Sequence, residues 1–224
     1  MSAAPLCSPS PIRWFHSYDF GDEVISGIRT LDRLRGEEEA FLGNRIAGKT
    51  VLDVGAWDGY FSFAAERRGA ASVHATDHFC WSGPGWGTKA GFDYAHRKLH
   101  SHVRSTDIDV KHLTPATVGK SDVVMFFGVL YHLEDPFGGL RKVAALTNEL
   151  LIIETVLAEN ENKNPVMKFY LGKELDNDPT NFWGPNLPCM LSMLKEIGFT
   201  RFEHAFMDPV RRDHTRGVIH AYWK

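Results

Sequence analysis

The segment Val51-Leu-Asp-Val-Gly-Ala-Trp-Asp-Gly59 gathers two carboxylates and two glycines into one short stretch. Gly55 and Gly59 let a backbone turn approach a ligand with no Cβ in the way. Asp58 stands where a dinucleotide fingerprint carries a further glycine. That argues against a pyrophosphate, which such a turn cradles on a helix N-terminus. Asp53 and Asp58 suit instead a cationic ligand bearing an amine. Asp77 lies 22 residues after Gly55, where a carboxylate accepts hydrogen bonds from ribose hydroxyls. Asp109, near the end of the third predicted strand, could take an exocyclic amine. A cationic amino-acid nucleoside fits these positions better than a dinucleotide does. Taken singly, each aspartate is equally well a turn residue or a helix cap, so the reading rests on their order. The histidines His96, His100, His102 and His112 invite a metal, but no H-E-x-x-H run accompanies them. A solvated basic face, with no metal, is the expectation there.

For these residues to meet, they must stand at the carboxyl ends of neighbouring strands. The chain supplies such strands as short apolar runs. Thr50–Val54, Ser72–Asp77, Val103–Val110, Val123–Phe127 and Leu150–Glu154 are the predicted strands. Between them, Phe61–Arg68, Phe92–Leu99 and Leu140–Leu146 have helical spacing, and Leu187–Ile197 adds a helix with Pro188 in its first turn and Gly198 at its end. Ile28–Ile46 predicts helical segments broken near Gly36. Phe202–Phe206 and Val218–Trp223 predict an antiparallel hairpin at the sheet edge. The alternation means an α/β fold: a Rossmann-like, doubly wound, mostly parallel sheet in three α/β/α layers, closed by the antiparallel C-terminal hairpin. Residues 1–47 are expected to form an N-terminal arm and lid, with 1–12 a loose arm, and residues 48–224 the main domain.

The chain has 224 residues, with 25 Lys+Arg against 28 Asp+Glu and a net charge of −3. Such a balance weighs against nucleic acid as the main partner, without excluding a local patch. No apolar run reaches the roughly 18–20 residues of a membrane span, and the first residues lack the pattern of a signal peptide. Cys7, Cys80 and Cys189 have no C-x-x-C spacing and imply neither a disulfide framework nor a zinc site. A cytoplasmic protein with no membrane partner, monomeric or homodimeric, is the expectation.

Over about residues 48–155 these motifs resemble the class I S-adenosylmethionine-dependent methyltransferases. The resemblance implies that Asp53 and the turn Gly55, Ala56, Trp57 and Gly59 hold the methionine part of the cofactor. It implies that Asp77, with His78 beside it, binds ribose and that Asp109 and Val110 frame the adenine. Gly128, in Phe-Phe-Gly-Val-Leu-Tyr-His-Leu, then opens the loop beside the sulfonium.

A closer resemblance rests on Gly-Val-Leu-Tyr-His at 128–132, Leu151-Ile-Ile-Glu-Thr155 and Asn181-Phe-Trp-Gly-Pro-Asn186. These are similar to the group containing tRNA wobble-uridine carboxymethyltransferases, which use carboxy-S-adenosylmethionine and grip its carboxylate with a lysine, a tyrosine and an arginine. The tyrosine matches Tyr131 and the arginine Arg216. The lysine's place, 37 positions before Asp53, falls on His16. A mostly neutral imidazole therefore stands where those enzymes carry an ammonium charge.

The rim of the site follows from these matches. His132 is a candidate general base or a loop-ordering residue. Tyr131 is a candidate contact to the transferring methyl. Glu154 could orient an acceptor or pair with an arginine. Trp14 and His16 belong to a segment able to fold over the pocket. Asn181, Trp183 and Asn186 suit an acceptor pocket, as does Arg216; Arg211 and Arg212 form a charged loop or an anion contact. Phe79-Cys-Trp81 and the glycine-rich run to Gly87 could cover the adenine face. The expected activity is methyl transfer from S-adenosylmethionine to an O, N or C atom of a small polar acceptor, leaving S-adenosylhomocysteine. The alternatives are a tRNA wobble-uridine (carboxy)methyltransferase using the carboxy cofactor, and a non-catalytic S-adenosylmethionine-binding module.

Overall fold

Strands that read as unbroken apolar runs need cover on both faces, and the chain provides it by alternating strands with amphipathic helices. The computed structural model describes residues 12–85, 88–207 and 214–223. The chain opens with a small hairpin, β1 (Tyr18–Asp19) and β2 (Val24–Ile25), then α1 (Leu31–Phe41), β3 (Thr50–Val54), α2 (Tyr60–Arg67) and β4 (Ser72–Asp77). Next come α3 (Ala90–Lys98), β5 (Arg104–Asp107), the short α4 (Pro115–Val118) and β6 (Ser121–Phe127). After α5 (Pro136–Ala145) and the long β7 (Thr147–Ala158), a flap carries β8 (Met167–Phe169) and β9 (Trp183–Pro185). Helix α6 (Leu187–Ile197) and the hairpin β10 (Arg201–Phe206) and β11 (His214–Tyr222) complete it.

The central sheet has seven strands in the order β10-β11-β7-β6-β3-β4-β5. β3 pairs in parallel with both β4 and β6, and β11 runs antiparallel to β7. This is the doubly wound sheet with an antiparallel hairpin expected from the sequence. β3 also shows why its run is apolar throughout. Val51 packs with Leu34, Phe61 and Phe92 of the helices on one face, while Leu52 and Val54 pack with Leu140, Val143, Met190 and Leu194 on the other. Winding reverses between β3 and β6, and the crevice beyond their carboxyl ends is where open α/β sheets take ligands. Among the described residues no helix is long and apolar enough to cross a membrane.

Two local readings need correction, and two short strand pairs add to the expected elements. Gly36 does not break a helix; α1 runs through it, capped by Thr30 and held by Glu37 against Arg29 and Arg33. The third strand stops at Asp107, because Asp109 caps a short 3-10 turn, Val110–His112. The stretch before Gly27, part of the expected lid, holds β1 and β2. The polar stretch after β7 holds the β8–β9 pair. The arm 1–11, with Cys7, lies outside the described residues, as do Trp86, Gly87, Arg211 and Arg212.

An added Cβ at the exposed Gly36 would meet nothing within 4 Å. Gly36→Ala should therefore stabilise the protein by about 0.5–1 kcal/mol, or about 2 °C in melting temperature. Thermal unfolding checks this; a lowered midpoint would contradict the continuous helix.

Candidate active site

The two turns that leave β3 and β6 meet at the reversal point. Gly55 has φ 87°, and a Cβ there would fall inside contact distance of Val129 Cγ2 in the turn after β6. Only glycine fits both the dihedral and the space. The N–H groups of Gly55 and Ala56 donate to Thr76 O at 2.8 and 3.0 Å, tying the turn to β4. Trp57 is left at φ 52° and Gly59 becomes the N-cap of α2. After β6, Gly128 has φ 69°; a Cβ there would point at Tyr131 Oη (3.5 Å), Arg216 Nη2 (3.8 Å) and Glu154 Oε2 (3.9 Å). One bare backbone turn thus faces a ready-made polar cluster.

Asp53 ends β3 almost fully buried, accepting from Ser62 Oγ at 2.6 Å. Burial pushes its pKa up to about 7, opposed by the serine and aided by the nearby Asp77 charge. Asp77, at the end of β4, accepts from Trp57 N at 2.9 Å and Cys80 N at 3.0 Å, and burial raises its pKa as well. Two buried acids with raised pKa values, side by side, form a pocket that a cation would relieve. His78 sits at the edge of this pocket and pairs with Asp107 at 2.8 Å. Asp109 stays partly open while its carboxylate accepts from Lys111 N, and Val110 packs in the turn it caps. Beyond Asp77, the exposed Phe79 ring faces His132 nearly in parallel, 6.4 Å away at 21°. Trp81 is a buried anchor instead, donating to Trp57 O at 2.6 Å.

Asp58 does something the motif did not suggest. Its carboxylate accepts from Phe15 N (2.9 Å) and His16 N (3.0 Å) and pairs with His16 Nδ1, while its carbonyl accepts from Tyr18 Oη at 2.6 Å. One side chain therefore clamps the segment 15–18 onto the glycine turn. Phe15 stacks on Trp57 at 4.0 Å and 7°, and His16 packs against Tyr60 and Phe61. Asp58 is consequently not open to a ligand amine. Trp14 is a core residue between Tyr18 and Tyr94 rather than a wall of an acceptor pocket.

On the other side of the crevice, Arg216 on β11 reaches across to β7. Its Nε and Nη2 grip both oxygens of Glu154, and Nη2 also donates to Tyr131 Oη at 3.1 Å. Glu154 is 1% exposed, yet its pKa lies below the usual range: burial would raise it, and Arg216 more than reverses that. Glu154 thus takes the arginine-partner role of its two expected ones. Neighbouring His132 places Nδ1 2.9 Å from Thr180 O, which leaves Nε2 as the basic nitrogen; burial lowers its pKa, so the ring is neutral near pH 7.

The flap is seated on this cluster, with Phe182 N donating to Tyr131 O at 2.8 Å. Among the described residues, Asn181 is buried with Nδ2 on Leu175 O and its Oδ1 without a partner, and Trp183 Nε1 is likewise buried and unpaired. Asn186 is no ligand contact. It is fully buried and caps α6, with Oδ1 accepting from Cys189 N and Val166 N and Nδ2 donating to Asn162 O and Asn164 O. The structure thus places Asp53, Gly55, Ala56, Trp57, Gly59, Asp77, His78, Gly128, Tyr131, His132, Glu154, Arg216 and His16 at or beside the carboxyl ends of β3, β4, β6 and β7, whereas Trp14 and Asn186 are taken up in packing and capping. Thr180, which fixes His132, was missed, since its role depends on a loop returning from 48 residues away. Among the described residues no three His, Cys, Asp or Glu side chains are placed to hold a metal.

The raised Asp53 pKa carries a stability signature. The folded state holds a proton that the unfolded chain releases near 3.8, so stability falls as pH rises from about 4 to about 7. Asp53→Asn should raise stability by about 1 kcal/mol or more at pH 8 and by less at pH 5. Denaturant titrations at both values check it; an equal effect would mean that Asp53 is ionised throughout.

A family model described as "Methyltransferase domain" matches residues 29–216. Among curated proteins the chain is 24% identical over 162 residues to the tRNA U34 carboxymethyltransferase of Campylobacter jejuni and 28% identical over 160 residues to that of Dichelobacter nodosus. These alignments cover 71% and 70% of this chain but 52% and 47% of the relatives, so the chain spans about half their length. Among solved structures, the N-terminal domain of EvdMO1 in the presence of SAH (S-adenosylhomocysteine) and D-fucose superposes with a TM-score of 0.68 at 18% identity, covering 94% of this chain and 91% of that one. The magnesium protoporphyrin IX methyltransferase ChlM of Synechocystis PCC 6803 with bound SAH gives 0.62 at 16% identity, covering 86% and 83%. The sheet order, the glycine turns at its reversal point and the matched span agree: the chain belongs to the methyltransferase-domain family.

Proposed function

We propose that the protein is an S-adenosylmethionine-dependent methyltransferase acting on a small polar acceptor. The residues present suit that cofactor. Bare backbone at Gly55 and Gly128 leaves room along the crevice, and Asp53 is a buried acid that an amino-acid ammonium would hold ionised. Asp77 keeps acceptor capacity for ribose hydroxyls beside its two backbone bonds. Phe79 and His132 are spaced to flank a nucleobase once the exposed phenylalanine yields slightly. When bound, S-adenosylmethionine supplies a methyl carbon made electrophilic by a sulfonium. The chain's part is then to align an acceptor, exclude water and accept a proton. Tyr131, His16 and the Glu154–Arg216 pair surround the place where that happens, with His132 between them and the nucleobase.

The observation that carries the choice of a plain methyl donor is the charge of the rim. Arg216 is already neutralised by Glu154, and His16 is already paired with Asp58. A cofactor carboxylate would find no unpaired positive charge among the residues standing where relatives are expected to grip it, and desolvating it there would cost more than it gained. For the acceptor, the unpaired Asn181 Oδ1 and Trp183 Nε1 favour a small polar molecule able both to donate and to accept hydrogen bonds. A Burkholderia thailandensis 1,6-didemethyltoxoflavin-N1-methyltransferase, crystallised with 1,6-didemethyltoxoflavin and S-adenosylhomocysteine, supplies precedent for a small acceptor on this fold. A second reading, carboxymethyl transfer to tRNA, draws on the curated relatives and on the meeting of Tyr131 with Arg216.

Calorimetric titration separates the two. S-adenosylmethionine should bind at least about tenfold more tightly than its carboxy derivative, about 1.4 kcal/mol. A preference for the carboxy form would establish the second reading, and binding of neither would overturn both.

A further inference from the structure

His16 and Asp58 form a buried acid–imidazole pair for which clamping the N-terminal segment is not a complete account. Two of the three contacts to the Asp58 carboxylate come from the backbone N–H groups of Phe15 and His16, and Tyr18 adds a fourth bond through the Asp58 carbonyl. Those bonds hold the segment whatever side chain stands at position 16. The imidazole adds something of its own. Asp58 receives Nδ1, which fixes the proton on that nitrogen and leaves the lone pair on Nε2. Nε2 has no hydrogen-bond partner among the described residues, and it is not among their fully buried unpaired atoms, so it is the ring nitrogen left free to accept a proton. The ring itself cannot swing away, since it is 5% exposed and packed against Tyr60 and Phe61 at the start of α2.

We propose that His16 Nε2, held and polarised by Asp58, is the proton-accepting atom of the transfer, and that the acceptor therefore presents a hydroxyl. The inference rests on the methyltransferase reading above. A neutral alcohol or phenol is a poor nucleophile until its proton is taken, and a positioned base supplies that step. As the acceptor oxygen bonds to the methyl carbon, the carbon–sulfur bond breaks and its electron pair stays on sulfur. The hydroxyl proton passes to Nε2, and Asp58 balances the imidazolium that results. The neighbouring groups keep their charge during this step. Tyr60, hydrogen-bonded to Glu38, has its pKa pushed up to about 12, and that of Tyr18 is also raised by burial; Arg29, bridged to His16 through the backbone, is paired with Glu37. His132 is the less suited of the two histidines: its Nδ1 meets the carbonyl and hydroxyl of Thr180 and reaches the Asp178 carboxylate only through that hydroxyl, and its ring faces Phe79 on the nucleoside side.

The test uses the full chain and diethyl pyrocarbonate, which acylates an unprotonated imidazole nitrogen, with peptide mass spectrometry locating the modified histidines. His16 should react, and its reaction should slow roughly tenfold once SAH stands ten times above its dissociation constant, the fraction of sites mass action leaves open. Nitrogen NMR of the unmodified protein should show His16 with its proton on Nδ1. His16→Asn retains an N–H donor toward Asp58 without an Nε2. It should keep the melting temperature and SAH affinity while losing the modification. A His16 that is inert, that reacts equally with SAH bound, or that carries its proton on Nε2 overturns the proposal while leaving cofactor binding intact. Failure of SAH to bind at all, read by calorimetry, would instead remove the methyltransferase reading beneath it.

Discussion

The site depends on a steric constraint: two chain turns that leave adjacent parallel strands in the same direction must pass one another. Gly55 and Val129 come so close there that no Cβ fits between them. Everything functional hangs from that crossing. It directs Asp53 and the turn 55–59 to one side of the crevice and Gly128, Tyr131 and His132 to the other. It also leaves Trp57 at a positive φ, a strained non-glycine conformation that persists because Phe15 stacks on its ring and Asp77 holds its N–H.

Electrostatics then decides what the crevice can hold. Four carboxylates, Asp53, Asp58, Asp77 and Glu154, are buried around it, in different states. Glu154 is ionised because Arg216 grips it, and Asp58 is occupied by the segment 15–18 and by His16. Asp53 has only a serine to favour its charge, so burial, aided by the neighbouring Asp77 that two backbone N–H groups hold, pushes its pKa up to about 7. The cleft therefore combines one acid awaiting a cation with a rim whose charges are already matched. That combination favours a donor carrying an ammonium and no additional carboxylate at the reacting end.

Much of this was legible in the sequence, for physical reasons. Strands covered on both faces must be continuously apolar, so β3, β4, β6 and β7 were readable. Close backbone approach demands glycine, so the turns after β3 and β6 were readable too. Misreadings arose where a residue's role is set by a distant segment. Asp58 looks like a ligand acid until residues 15–18 fold back onto it, and Asn186 looks like a pocket amide until α6 and the loop at 162–166 claim all its bonds. β1–β2 and β8–β9 are too short to show a period. Asp109 reads as part of a strand because apolar residues flank it at 108 and 110, although its carboxylate caps the turn that follows.

The most direct measurement is a crystal structure of the protein with SAH. The account requires the ribose at Asp77, the amino group on the Asp53 side of the Gly55 turn, and the sulfur above Gly128, facing Tyr131 and His16. SAH bound elsewhere, or with its sulfur turned away from Gly128 and the rim, would contradict it.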